Sequence, residues 1–353
     1  MATFTGQLNV NHIQSALFNM IIAQDVIGGS IKANYKLYNK AEEQVGLYGD
    51  TKLYIDVPTN KSVEWVQDSE DATNLLALDR PEAPKTQAIV INKFRQVRLT
   101  KDDYLSKQAF GTETAFVSYQ SVLDSRMNKA KEMYMDTKYN SFLGTVEGEE
   151  EIEIDLEADG NTAGQNIAYE MSNLIDDLKD YNTKYTANGF IRAFGDEDIH
   201  IVWNKKYQNA IRKLDLPEIF HNAELEKSFV GDKIPSRYFG TVQTTAVEAA
   251  DNDGSYRSLE EMDYTVSTTT THVYPGDLIP AGAAIAANAS YVEDEDIICK
   301  VFTKLPPVLE AFSVGTSFFN AKNLSTNKYL TFGHNTLEAL DSEAIVTVKK
   351  KSE

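Results

Sequence analysis

The stretch whose reading decides the fold is TETAFVSYQSVLDSRMNKAKEMYMDTKYNSFL, residues 112–143. Phe116, Tyr119, Leu123, Met127, Ala130, Tyr134 and Phe142 recur at helical spacing, and acids and bases fall between them. No Pro or Gly interrupts before Gly144. The spacing predicts one helix of about 30 residues, on the order of 45 Å long at 1.5 Å per residue. Helices of that length are uncommon in globular domains. A stripe of Met and aromatic residues at this spacing is a packing face, not a cofactor box.

Upstream of the helix the period is two. In TKLYIDVPTNKSVEWV (51–66), Leu53, Ile55 and Val57 fall on one side and Lys52, Tyr54 and Asp56 on the other, which predicts a half-buried strand. TQAIVINKFRQVRLT (86–100) is β-branched and strand-like as well. An acidic linker with two prolines, QDSEDATNLLALDRPEAPK, separates them. The pair predicts a long projecting two-stranded feature. Isolated hairpins are marginal in water, so such a feature docks on a neighbour. Its second strand groups Lys93, Arg95, Arg98 and Lys101. That strip is either a solvated face or a contact for an acidic surface of a sister subunit. Residues 1–50 mix short apolar and polar runs, with a break at Gly28-Gly29. They are too poor in apolar surface to form a domain and read as an arm that needs something to lie against.

Downstream, VEGEEEIEIDLEADGN (146–161) holds eight acids and no base, among them Glu149, Glu151, Glu153 and Asp155. Ile152, Ile154 and Leu156 alternate with acids, so part of it reads as an exposed strand with a solvated acidic edge. A second helix is expected over 162–185. Thr162 and Gln165 have capping-box spacing, and Ile167, Met171, Leu174, Ile175, Leu178 and Tyr181 make its apolar face. DIHIVWNKKYQNAIRKLDLPEIFH (198–221) reads as strand, cap at Asn204, then helix packed by Ile211 and Leu214 and ended by Leu216-Pro217. Residues 230–290 are turn-rich and β-like. The last stretch, from IICKVF onward, is apolar and strand-rich, with a basic tail.

The composition bounds the function. The chain has 353 residues, 53 acids against 34 bases, and a formal charge of −19. Two lobes sharing one chain fit that length. A surface so acidic does not grip nucleic acid over most of its area, because phosphate contacts need Lys and Arg. It can lie beside nucleic acid without sticking. The lone Cys299 lies in an apolar run and reads as a small buried hydrophobe. No signal peptide and no apolar run of about 20 residues is visible, which points to the cytosol or a particle assembled there.

Motifs for catalysis are missing from the sequence. It has no phosphate loop, dinucleotide fingerprint, H-E-x-x-H, C-x-x-C or G-x-S-x-G elbow, and its five histidines are scattered. Catalytic and cofactor-binding residues are therefore expected to be none. In AADNDGSYRSLEE (249–261), Asp251, Asp253 and Glu260 sit where a calcium loop wants ligands. Ala249 cannot serve as the first ligand, so a plain turn is the preferred reading.

The order of elements, and the wording of QVRLTKDDYLSKQAFGTETAFVSYQSVLDSRMNKAKEMYMDTKYNSFLGT and DIHIVWNKKYQNAIRKLDLPEIFH, resembles the HK97-type major capsid proteins of tailed bacteriophages, in particular those of crAss-like and phi29-like phages. The resemblance covers most of residues 50–225. It implies an α+β fold with an N-terminal arm (1–50), an extended loop (51–104), a peripheral domain (105–190) with a spine helix at 112–143, an axial domain (191–290), and C-terminal strands returning to the core (291–353). It implies a non-enzymatic subunit without cofactors. Its copies would form the hexamers and pentamers of an icosahedral or prolate head around double-stranded DNA. The partners implied are the chain itself, a portal protein, a scaffolding protein, and minor or decoration capsid proteins. DNA is a neighbour without sequence-specific contact, and no membrane is involved. The place is the virion, assembled in the host bacterial cytoplasm. Residues Lys93, Arg95, Arg98 and Lys101 would meet Glu149, Glu151, Glu153 and Asp155 of an adjacent subunit. The alternatives are an encapsulin-like compartment shell on the same fold, and a calcium-binding protein or enzyme using 249–261.

Overall fold

The computed structural model describes residues 37–60, 62, 78, 80–102, 113–157, 162–208 and 231–351. The expected arm up to residue 36, most of the acidic linker, and the helix packed by Ile211 and Leu214 lie outside them, as do His12, His221 and Asp159.

The long helix, α2 (Glu113–Thr145), has 33 residues, about 50 Å at the α-helical rise. From Val117 to Arg126 its side chains are exposed or half-buried, and its last turns are almost fully buried. The expected stripe is present at Met127 and Tyr134, but Met135, Tyr139 and Leu143 carry the deepest packing. The helix runs through Gly144 instead of stopping there. A β-carbon at Gly144 would lie 2.0 Å from the Tyr238 carbonyl oxygen, so the glycine serves close packing and not termination.

Helix α2 lies across a five-stranded mixed sheet of β4 (Glu150–Ile154), β15 (Ile345–Lys350), β12 (Ile297–Phe302), β5 (His200–Asn204) and β6 (Asp232–Ile234), in that order. Val202, Phe302 and Ile345 face Tyr139 and Leu143 of α2 in one core. Ile201, Trp203, Cys299, Val301 and Val346 face the other way, onto α3 (Ala163–Lys179). A sheet covered on both faces needs apolar residues at consecutive positions, which is why the IICKVF run is buried throughout. Helix α3 starts with the expected capping box between Thr162 and Gln165. Ile167, Met171, Leu174 and Leu178 are buried as expected; Tyr181 lies past the helix end and is 81% exposed. Asn204 Oδ1 accepts from the Lys206 backbone at 3.0 Å, the cap read from sequence.

A second five-stranded sheet has the order β1 (Glu42–Gly46), β13 (Val308–Asn320), β14 (Ser325–Asn335), β3 (Lys85–Asp102), β2 (Thr51–Asp56). The first part of β3 pairs with β2, as the two-stranded reading expects. The rest, residues 91–102, pairs with β14, a partner more than 200 positions away that local sequence could not name. The short helix α1 (Leu37–Ala41), just before β1, buries Leu37, Tyr38 and Ala41 against Tyr134 and Met135, so the end of the arm region is docked on the body. Between β6 and β12 lies a turn-rich lobe. It contains a three-stranded sheet of β7 (Gly240–Val242), β11 (Ser290–Glu293) and β8 (Tyr256–Ser258), and a hairpin of β9 (Met262–Val266) and β10 (Thr269–Val273). Val247, Tyr264, Val273, Ile279 and Ile285 give that lobe its own core.

Candidate inter-subunit surfaces

Strand β2 is turned inside out. Its polar side points inward: Asp56 is 6% exposed, and it accepts from Asn188 Nδ2 at 2.5 Å and pairs with Arg192. Tyr54 Oη donates to Glu43 at 2.6 Å, and Lys52 and Lys304 also reach Glu43. Burial alone would raise the Glu43 carboxyl, but hydrogen bonds from Lys304, Lys52 and Tyr54 outweigh it and hold the pKa at about 2. The apolar side points outward, with Leu53, Ile55 and Val57 each more than half exposed. The period-two reading was right and the side that faces protein was not legible, because Tyr54 packs on the Ile89, Ile91, Leu309 and Leu340 cluster while Lys52, Asp56 and the Tyr54 hydroxyl meet charged partners remote in sequence.

The exposure continues across the sheet. Ala88 and Val90 on β3 share the outer side with Leu53 and Ile55. Farther along β3, Phe94 is 54% exposed and packs edge-on against Tyr48, centroids 5.2 Å apart. On β13, Val314 and Phe318 are exposed. The exposed apolar side chains lie on β2, β3 and β13 and on both faces of the sheet: Leu53, Ile55, Ala88 and Val90 point away from Ile89 and Ile91, while Phe94, past the register shift at Asn92, and Val314 and Phe318 on β13 point to the side of those two.

The basic strip divides. Lys101 is buried, and its ammonium lies 2.6 Å from Asp124, which also pairs with Lys328. Arg95 donates to the Glu261 carbonyl at 3.1 Å, lies 3.4 Å from Glu260, and covers the Tyr134 ring at 4.4 Å. Glu260 also binds Lys138 at 2.6 Å. These two bases are engaged within the chain, where odd positions of this part of β3 face α2. Lys93 and Arg98 are exposed, and Arg98 Nε donates to Gln96 at 2.9 Å. A groove of ≈ 1060 Å³ runs past Lys93, Phe94, Arg98, Tyr134, Glu260 and Tyr274.

The acidic run is an edge. Strand β4 pairs on one side only, with β15, and leaves Glu151 and Glu153 exposed, as are Glu149 and Asp155. Glu151 lies 2.6 Å from Lys349. The basic strip and the acidic edge belong to different sheets and form no ion pair with each other within the chain among the described residues.

The 249–261 segment does not gather its acids. Asp253 accepts from the Ser255 backbone at 2.9 Å in an Asx turn, while Glu260 is committed to Lys138 and Arg95. Among the described residues no group of three or more His, Cys, Asp or Glu side chains is placed to hold a metal ion. Cys299 is fully buried with its thiol pushed up by burial, against Met171. The chemistry that sequence reading missed is Lys300, 1% exposed, whose ammonium donates to the Val146 carbonyl just beyond α2. Its signal was a lysine inside an otherwise apolar run.

None of the helices among the described residues is long and apolar enough to cross a membrane. No family model matches the chain, and no curated protein matches it. Solved structures do. A chain in the capsid structure of Staphylococcus phage Andhra superposes with a TM-score of 0.65 at 9% identity, over 94% of this chain and 88% of that one. A chain in the structure of the head fiber and inner core protein gp22 of native bacteriophage P68 gives 0.62 at 10% identity, over 94% and 89%. One in the capsid structure of the Cyanophage P-SCSP1u gives 0.53 at 11% identity, over 96% and 94%. The fold is thus the α+β fold of phage capsid chains, of the HK97-like kind that the sequence resemblance implies.

Proposed function

We propose that this chain is a major capsid protein, a shell subunit without catalytic activity, whose copies form hexamers and pentamers around phage double-stranded DNA. The observation that carries the reading is the number of large apolar side chains left exposed on β2, β3 and β13, among them Leu53, Ile55, Phe94, Phe312, Val314 and Phe318, on a chain with the fold of phage capsid chains. Large apolar side chains exposed in such number need a cover, and obligate interfaces of more than about 2,000 Å² supply it. Residues 51–104 serve as the extended loop that reaches a neighbour, 105–190 as the peripheral domain and 191–290 as the axial one. Exposed Lys93 and Arg98 meet the β4 edge of an adjacent copy, at Glu149, Glu151, Glu153 and Asp155. The acidic body lets DNA be packed and released without sticking. Portal, scaffolding and minor or decoration proteins complete the head, which is assembled in the host cytoplasm and resides in the virion.

Negative-stain microscopy of the expressed chain, alone and with phage lysate, tests this. Closed shells or capsomer rings are the expected result, with an absorbance ratio indicating nucleic acid in particles formed during infection. Particles filled with protein instead would transfer the same fold to an encapsulin-like compartment. A compact monomer at every concentration, with and without lysate, would overturn the proposal.

A further inference from the structure

Strands β3, β14 and β13 form a ribbon whose charge differs from the rest of the chain. Residues 85–102 and 308–335 contain seven bases (Lys85, Lys93, Arg95, Arg98, Lys101, Lys322, Lys328) against two acids, Asp102 and Glu310. The remainder holds 27 bases (34 less 7) against 51 acids (53 less 2), a net of −24. The ribbon also has an unfinished edge. Strand β1 pairs with β13 only as far as Ala311, and β14 occupies the other side of β13 to its end. Among the described residues, nothing pairs with the β1 side of residues 312–320. This edge carries no charge and no proline, and Phe312, Val314, Phe318 and Phe319 on it are each more than half exposed. Natural sheets protect their edges with charges, prolines or covering segments. Strand β4 of the same chain shows that protection in Glu151 and Glu153, and residues 312–320 show none of it.

We propose that residues 312–320 are completed by an extended segment of a second copy of this chain, added to β13 as a further strand through main-chain hydrogen bonds. The inference rests on the shell reading and names the manner of one contact. Charge selects the occupant. Lys93, Arg98 and Lys322, which form no ion pair within the chain among the described residues, meet the acidic body of another copy favourably, whereas ribbon against ribbon brings like charges together. The contact is therefore head-to-tail, the kind that closes into rings. A nucleic-acid backbone is the poorer fit. Arg95, Lys101 and Lys328 are neutralised by Glu260 and Asp124, Lys85 donates to the Asn188 carbonyl, and no base lies on residues 312–320. Strand addition draws its affinity from main-chain groups and needs no charge on the edge itself.

A proline scan over Ser313, Val314, Gly315, Thr316 and Ser317 tests the proposal in the full-length chain. Alternate N–H groups of β13 point to β14 and to the open edge. Substitutions that remove an inward N–H lower the melting temperature of the dispersed chain. Those that remove an outward N–H leave it unchanged and raise the concentration needed for assembly by about tenfold or more. Hydrogen exchange over 312–320 is expected to slow on assembly at alternate residues. Cross-linking of mixed isotope-labelled and unlabelled copies reports whether the added segment comes from another copy. If stably folded scan variants all assemble as the parent does, the inference fails and the shell reading stands. It fails equally if the cross-links are all within one copy, or if nuclease treatment alone removes the protection. A parent that never associates overturns the shell reading itself.

Discussion

Lys300 places a cation in the middle of β12, under the end of α2, where water does not reach. Its ammonium donates to the Val146 carbonyl, one of the acceptors a helix leaves open at its C-terminus. A positive charge there also complements the helix dipole. Burial nonetheless pushes its pKa down to about 7, with Lys349 adding to the fall and Glu147, Asp294 and Glu151 opposing it. The unfolded chain holds this proton up to the ordinary lysine value of 10.5. Between those values the unfolded state binds more protons, so stability rises as pH rises. Denaturant titration of the dispersed chain is expected to show a gain of roughly 1 kcal/mol per pH unit between about pH 7 and 9 that Lys300→Met lacks. Equal slopes in the two proteins would show that the lysine is solvated or stays charged. At the same scale, Asp56 holds β2 through Arg192 and Asn188. Asp56→Ala strands the guanidinium's partner site and is expected to lower stability by about 2 kcal/mol, read from the denaturation midpoint.

Elements were legible where their signal is local. Helix α2 follows from uninterrupted periodicity, α3 from its capping box and apolar face, and β4 from alternation of isoleucine with acids. The facing of β2 was not, because alternation gives two sides and the long-range surroundings decide which is inward. Nor was the partnership of β3 with β14, since pairing across such a separation leaves no trace in either segment alone. Lys101 and Arg95 looked available for the same reason: their partners, Asp124 and Glu260, are remote in sequence. Gly144 illustrates a local signal with a tertiary meaning. It reads as a helix stop and is a contact point between α2 and the Tyr238 turn. Gly144→Ala is expected to cost about 2 kcal/mol or more by overpacking, measured as a lower melting temperature, although alanine is the better helix former.

At the scale of the whole molecule, charge is sorted and not spread. The acids crowd the body and the β4 edge, while one ribbon holds only two of them against seven bases. Identical copies so built attract through unlike parts and repel through like ones, which gives association a direction. Lys93→Glu with Arg98→Glu is expected to raise the concentration for assembly about tenfold while leaving the dispersed chain folded. Light scattering measures the first and circular dichroism the second. The parent's assembly is expected to weaken as salt rises, since both bases are exposed and screened, and the double variant to respond less. Assembly of the variant at the parent's concentration would remove this pair from the interface.

The arrangement of β3 carries a mechanical consequence. One unbroken strand of 18 residues is fastened near one end to β2 and along the rest to β14, both antiparallel. Tension applied lengthwise along β3 cannot peel these rungs one after another; it loads them together, in shear. Pulling across the sheet opens them singly. A wall made of such units is stiff along the direction of β3 and compliant at right angles to it, so the orientation of a single strand sets the axis along which internal pressure is borne.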